Sequence, residues 1–229
     1  MNIFSYESKP MQILMFVGDL IILNVVFLAC CLPIFTIGAA QSGLYTAMRQ
    51  LLNKDDDTSA VAAFFRGFRS GFGSVTLAWG LLFLLEAFLV YVLTLIMAFD
   101  ELMGGAPVIC TVAALFITCL FQAVIPLFHS RFGCTAWQLF RNAWFMIFAH
   151  PLRSILVGIL VFIPAFVFFG MGIYSFMAAT PLWITVYFSV AYMFANTATN
   201  KPFQVLIDHY NEQNGIQPAK PAEEEDNGQ

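Results

Sequence analysis

The sequence predicts an all-α fold, a polytopic transmembrane helical bundle of about five spans with interfacial amphipathic helices on the cytoplasmic side. Three observations predict it. First, apolar residues make up 60% of the 229 and charged residues only 10%, whereas an ordinary soluble domain carries about 25% charged residues. A soluble fold so poor in charge would present large apolar patches to water; lipid covers such surface. Second, five apolar stretches reach or approach the roughly 20 residues that a helix needs to cross the hydrocarbon core. Third, Lys and Arg are concentrated in alternate connections, the charge asymmetry of a multi-span chain. The 26 Phe residues suit lipid-facing and interfacial packing.

The expected spans cover 12–33, 73–98, 105–128, 154–177 and 181–199, the last being shorter and carrying Ser189, Asn196 and Thr197. The first run has only Lys9 ahead of it and no cleavage pattern, so it is expected to be a retained span. Two connections, 99–104 and 178–180, are tight hairpins. The other two, 34–72 and 129–153, are long and show helical periodicity. Ile37, Ala40, Leu44, Met48 and Leu51 fall on one helical face, with Gln41, Ser42, Arg49 and Gln50 off it. A polar turn at 53–59 ends this helix. Val61, Phe64, Phe65, Phe68 and Phe72 form a second stripe opposite Arg66 and Arg69. Trp137, Phe140, Trp144 and Ile147 form a third, opposite Gln138, Arg141 and Asn142, and Thr135 with Gln138 fits a capping box. These helices are expected to lie in the interface plane or to pack on the ends of the spans. Residues 1–210 then form a single integral membrane domain. Residues 211–229, rich in Gln, Pro, Glu and Asn, are expected to be a disordered acidic cytoplasmic tail.

Orientation is set by charge. Nine of the ten Lys and Arg residues lie in the two long connections and the C-terminal segment; Lys9 alone precedes the first span. The positive-inside rule therefore puts the long connections and the C-terminus in the cytoplasm and the N-terminus outside. The net charge of −4 is dominated by Glu223, Glu224, Glu225 and Asp226. No basic stripe interleaved with aromatics points to nucleic acid. Asp55, Asp56 and Asp57 lack the ligand pattern of an EF-hand and read as a solvated turn.

Within the apolar runs, Asp19 and Glu86 stand out. A carboxylate at the centre of a membrane helix costs about 2.5–3.5 kcal/mol on insertion scales, and no Lys or Arg lies inside an expected span to pair with it. Each is expected to be protonated, bonded to neighbours such as Asn24, Gln122 or Tyr91, or facing water or a cation. Asp19, Asn24, Glu86 and Gln122 are thus the candidate intramembrane polar site. It reads either as an ion or proton site or as a neutral interhelical lock, the latter favoured for any one of them alone. Asn196 and Asn200 are expected to bond across helices.

Cys30, Cys31, Cys110, Cys119 and Cys134 form no CxxC pair and no zinc spacing, and read as reduced packing residues. His129, His150 and His209 fall at span ends and are expected to be interfacial, with no metal or cofactor. No nucleophile elbow, Walker motif or dinucleotide fingerprint occurs, so no catalytic residue is assigned. Leu32-Pro33 and Ile125-Pro126 each end an apolar run ahead of a segment with Phe-Arg (Phe65-Arg66, Phe140-Arg141). This outline of an internal repeat is too weak to carry an argument.

Three segments carry a family resemblance. The first runs from Asn24 through Leu32-Pro33-Ile34-Phe35-Thr36-Ile37-Gly38, with Gly43-Leu44-Tyr45 after it. The second is Phe64-Phe65-Arg66-Gly67-Phe68-Arg69-Ser70-Gly71-Phe72. The third is Leu139-Phe140-Arg141-Asn142-Ala143-Trp144, with His150-Pro151 after it. In this order, over roughly 10–205, the chain resembles the YesL-like bacterial membrane proteins, a family named largely for its unknown function. Ala39-Ala40 stands where many relatives have Gly-Pro-Ala. The family-like motif residues are Asn24, Leu32, Pro33, Thr36, Gly38, Phe65, Phe68 and Asn142. Physically, Pro33 breaks the first span, Thr36 is placed to cap the segment after the break, and Gly38 permits a close approach. The resemblance implies a multi-pass protein of the bacterial cell membrane, often encoded beside carbohydrate ABC-transporter components and sensor kinases. It supplies no catalytic residues. The leading expectation is a non-enzymatic accessory or regulatory partner of carbohydrate uptake or sensing, in contact with the lipid bilayer and with such components or a kinase. The alternative is a small ion- or proton-coupled transporter using Asp19 and Glu86, which would need a homo-oligomer because five spans enclose little volume.

Overall fold

The computed structural model describes residues 9–53, 59–98, 105–133 and 135–214, and these contain helices and turns but no strand. The helices are α1 (Lys9–Cys30), α2 (Ile37–Asn53), α3 (Ala60–Gly71), α4 (Ser74–Ala98), α5 (Gly105–Phe132), α6 (Ala136–Ala149), α7 (Pro151–Ala178) and α8 (Phe188–Asn214). A 3-10 turn, Ile34–Thr36, leads into α2, and a short turn (Thr180–Leu182) and a π-helical segment (Trp183–Tyr187) lead into α8. The hairpin expected at 99–104, the acidic run 55–57, Cys134 and residues 215–229 lie outside the described residues. The tail expected from residue 211 starts as helix, since α8 runs to Asn214.

Among the described residues, three helices are long and apolar enough to cross a membrane: Met11–Cys30 within α1, α4 and α5. A fourth crossing results if α6 and the first part of α7, bent by 112° at His150, form one broken span. Two features separate this count from the five expected. α7 is interrupted at Gly172, whose φ of 84° is a conformation that glycine adopts readily. The segment from 180 onward passes through a π-helical turn, and α8 carries Asn196, Thr197, Thr199 and Asn200. The outer surface of the three apolar helices suits lipid: Leu14 is 65% exposed, Leu84 67% and Ile109 70%.

The centre of the bundle is α2. It touches α1, α3, α4, α5 and α8, and every residue from 39 to 48 is buried. The apolar face expected from periodicity (Ala40, Leu44, Met48) is indeed buried. So are Gln41, Ser42 and Thr46, on the side that periodicity assigns to water. An amphipathic surface helix exposes its polar side; here α3 and α5 cover it.

Close approach of α2 and α3 explains that burial. A Cβ on Gly67 would lie 2.5 Å from Thr46 Oγ1 and 3.0 Å from the Gly43 Cα, and one on Gly43 would lie 2.8 Å from the Phe64 carbonyl oxygen. Small residues let two backbones meet this way. The inward face of α3 is therefore Ala63, Phe64, Gly67 and Gly71, and Phe65 and Phe72 of the expected stripe are exposed. A similar correction applies to α6. Its buried face is Leu139, Ala143, Met146 and Ile147, whereas Trp137 and Trp144 are exposed. The exposed aromatics Phe65, Phe72, Trp137 and Trp144 thus mark the outer faces, whereas Phe64 packs inward. The Gln138 side chain does accept from the Thr135 N–H at 3.1 Å, completing its half of the capping box. Ile125-Pro126 does not end a helix, because α5 continues through Pro126 to Phe132.

Candidate functional site

Three groups of interior polar side chains stand out among the described residues. The first is built on Asn24, fully buried in α1. The π-helical segment Trp183–Tyr187 is one wide turn, whose i→i+5 spacing departs from the α ladder. Asn24 meets it with both ends of its amide. Nδ2 donates to the carbonyls of Trp183 (2.9 Å) and Ile184 (2.6 Å), and Oδ1 accepts from the Ser189 N–H (3.2 Å). A side-chain amide offers two donors and two acceptor lone pairs, so three of four capacities are used on one stretch of backbone. Asn24 is thereby committed away from Glu86.

The second group surrounds the last turn of α5. His129 Nδ1 lies 2.9 Å from Ser42 Oγ on α2, and the ring also hydrogen-bonds the backbone of Ser70 on α3. A neutral ring that accepts from Ser42 and donates to Ser70 satisfies both contacts. The sequence places His129 at the interface; at 5% exposure it instead ties three helices together. Two residues on, Arg131 Nη2 donates to Asn196 Oδ1 and Asn200 Oδ1, each at 2.7 Å, and to the Asn196 carbonyl at 3.3 Å. Its guanidinium carbon sits 4.2 Å from the centre of the Phe203 ring, a cation–π contact. Asn196 Nδ2 donates to the Tyr45 carbonyl on α2 at 3.2 Å. Asn196 and Asn200 thus do bond across helices, with Arg131 and α2 as their partners. Sequence reasoning does not single out Arg131 or Tyr45. The one signal pointing there is the i, i+4 pair Asn196 and Asn200 within an expected helix.

The third group holds Glu86. On α4 it faces Thr118, Cys119 and Gln122 of α5, but Glu86 Oε1 and Gln122 Nε2 are buried without a hydrogen-bond partner. Gln122 is the expected neighbour that the structure supplies. Tyr91 is 59% exposed and is not. Asp19 is half-buried on α1. The four candidate residues therefore do not form one site: Glu86 and Gln122 meet, and Asn24 serves the π turn.

Of the motif residues, Thr36 acts backward rather than forward. Its hydroxyl lies 2.6 Å from the carbonyls of both Cys30 and Pro33, closing the end of α1. Leu32 and Pro33 are exposed in the turn. A Cβ on Gly38 would lie 2.7 Å from the Trp79 Cβ, the close approach that a glycine there allows. Phe68 stacks on Phe64 at 6.2 Å. Asn142 lines a cleft of about 190 Å³ at the elbow of α6 and α7, with Phe128, Phe145, Met146, His150 and Phe203. Cys30, Cys31, Cys110 and Cys119 are free thiols.

A family model described as a protein of unknown function, DUF624, matches residues 20–98. YesL-like proteins belong to that family. The match runs from the second half of α1 to the end of α4 and so contains Asn24, the Pro33 break, the α2–α3 crossing and Glu86; the resemblance in 105–205 has no counterpart in it. No curated protein and no solved structure matches the chain. Over 20–98 the chain is similar to a family of unknown function.

Proposed function

We propose that the protein is a multi-pass protein of the bacterial cell membrane that acts without catalysis as an accessory or regulatory partner of carbohydrate uptake or sensing. In this reading it has five crossings, with α7 and the segment from 180 to 199 supplying the last two. The N-terminus is outside, and α2, α3 and α6 are on the cytoplasmic side. The observation that carries the reading is the use made of interior polar groups. Asn24, His129 and Arg131 bond helix to helix and to backbone carbonyls, so that the polar chemistry inside the bundle holds its shape. Recognition then falls to the surface, where Trp137, Trp144, Phe145 and Phe148 of α6 are exposed. Aromatic side chains of this kind are favoured in interfaces with lipid and with protein. The link to carbohydrate uptake rests on the family resemblance.

The test is purification from native membranes with identification of what comes along. A stoichiometric carbohydrate-permease subunit or sensor kinase supports the accessory reading. Solute flux by the purified protein alone in liposomes overturns it in favour of a second reading, an ion- or proton-coupled transporter. That alternative draws on the unpartnered Glu86 Oε1 and Gln122 Nε2 between α4 and α5.

A further inference from the structure

We propose that the cleft at the elbow of α6 and α7 holds one acyl chain of a membrane phospholipid. The sequence builds this cleft at His150-Pro151. A residue before proline is driven out of the helical region, and His150, with φ −133° and ψ 62°, ends α6 while Pro151 opens α7. The two helices bend by 112° there. Backbone hydrogen bonds fix the elbow. The His150 N–H donates to the Met146 carbonyl at 2.9 Å, and the His150 carbonyl accepts from the N–H groups of Arg153 and Ser154 at 3.2 and 3.1 Å. Asn142, Phe145, Met146 and Ala149, one face of α6 by helical spacing, line the space together with Phe128 of α5 and Phe203 of α8.

Floor and rim differ in character. Phe128, Met146 and Phe203 are buried, and the two Phe rings meet edge to face at 4.8 Å. Phe145, Ala149 and His150 are exposed, and Asn142 is half-buried. The buried lining is thus wholly apolar, and the polar side chains, Asn142 and His150, belong to the rim. A sugar or another polar solute would meet too few hydrogen-bond partners there. The size suits a single hydrocarbon chain. An apolar cavity of about 150 Å³ takes a benzene-sized group, and this cleft measures about 190 Å³. What reaches the cleft is set by its surroundings. Trp144, Phe148 and Leu152, next to lining residues in sequence, are exposed, and α6 with the first part of α7 is apolar enough to form a broken span. Exposed aromatics of this kind sit at the membrane–water boundary, where acyl chains begin. Residues 215–229 offer no rival occupant, Ile216 being the one large apolar side chain among them. The inference rests on the membrane location in the proposed function and not on any part in carbohydrate uptake.

The experiment reconstitutes the full chain in nanodiscs with a phosphatidylglycerol that carries a diazirine in one acyl chain. After illumination, labelled residues are mapped by peptide mass spectrometry. Leu14, Leu84 and Ile109 are exposed on the apolar helices; they are expected to label in any case and serve as controls. Phe128, Met146 and Phe203 are shielded from bulk lipid, so label on them reports a chain inside the cleft. Label on these three is the expected result. Ala149→Phe places a ring at the rim, where the native methyl is exposed. It is expected to remove that label while the controls and the melting temperature stay unchanged. Ala149→Leu, a smaller plug and a good helix former, gives the same reading where the ring is not tolerated. Label confined to the controls overturns the proposal, whether the cleft stands empty or a second copy of the chain covers it. Label on the floor that survives a stable plug variant overturns it too, because the chain then reaches those residues by another route. An absence of label at all six residues removes the membrane location, and with it both this proposal and the proposed function.

Discussion

The side-chain nitrogen of Asn24 lies 2.6 Å from the carbonyl oxygen of Ile184, a residue 160 positions away in sequence. The same amide also holds Trp183 and Ser189, so the first helix of the bundle carries the partner for the irregular turn before the last one. Replacing Asn24 by Leu keeps the volume and strips three backbone groups of their partner. At about 1–3 kcal/mol for each buried group left unpaired, the expected loss is at least about 3 kcal/mol. Thermal unfolding of the detergent-purified variant reads this directly. Stability equal to the parent would show that the π turn finds other partners.

The α2–α3 crossing makes a prediction of opposite signs. Gly67→Ala puts a methyl group 2.5 Å from Thr46 Oγ1, and overpacking of this kind costs about 1–3 kcal/mol. Gly80→Ala in α4 meets nothing within 4 Å and replaces a poor helix former, for a gain of up to about 1 kcal/mol. Melting temperatures of the two variants are expected to move in opposite directions. A neutral Gly67→Ala would mean that α2 and α3 are not in close contact.

His129 and Ser42 join α5 to α2 through one hydrogen bond. A double-mutant cycle with His129→Ala and Ser42→Ala is expected to give a coupling of about 0.5–3 kcal/mol, the range for residues in direct contact. Additive effects would place the two side chains apart.

These three relationships divide what the sequence displays from what it hides. The long apolar runs mark α1, α4 and α5 nearly to their ends, because lipid-facing helices write their environment into every residue. The packing of α2, α3 and α6 is only half legible. Periodicity identifies Ala40, Leu44 and Met48 as one face, but it does not reveal that a second layer buries Gln41, Ser42 and Thr46. Small residues are the hidden signal: Gly67 and Gly71 mark the face of α3 that touches its neighbour, which Phe64 shares, while Phe65 and Phe72 draw the stripe toward the surface. Asn24 is legible as a polar residue in an apolar run. Its target is not, because a π turn has no residue signature of its own. Arg131 counts toward orientation as a loop charge in the sequence, which ends the span at residue 128, whereas α5 continues to Phe132.

Membrane orientation rests on the distribution of Lys and Arg. Single cysteines at Ser59, Gly104 and Asn214, in a background free of the native thiols, are expected to differ in their response to an impermeant thiol reagent on intact cells. Only the residue-104 variant is expected to label before lysis. Labelling at residue 59 in intact cells would reverse the assignment of the long connections.

Glu86 gives the prediction that separates architecture from transport. The structure sets it against Thr118, Cys119 and Gln122 of α5 with Oε1 unpartnered, as is Gln122 Nε2. As a neutral lock between α4 and α5, the carboxyl can be replaced by an amide of the same shape, so Glu86→Gln is expected to be nearly silent in both stability and growth on a carbohydrate source. Glu86→Leu removes every polar contact to α5 and is expected to lower stability by about 1–3 kcal/mol. An ion or proton site behaves differently, because an amide neither binds a cation by charge nor exchanges a proton at neutral pH. There Glu86→Gln would keep its melting temperature and fail the growth assay. A Glu86→Leu variant as stable as the parent would remove the lock, since a side chain that holds two helices together cannot lose all its polar atoms at no cost to the fold.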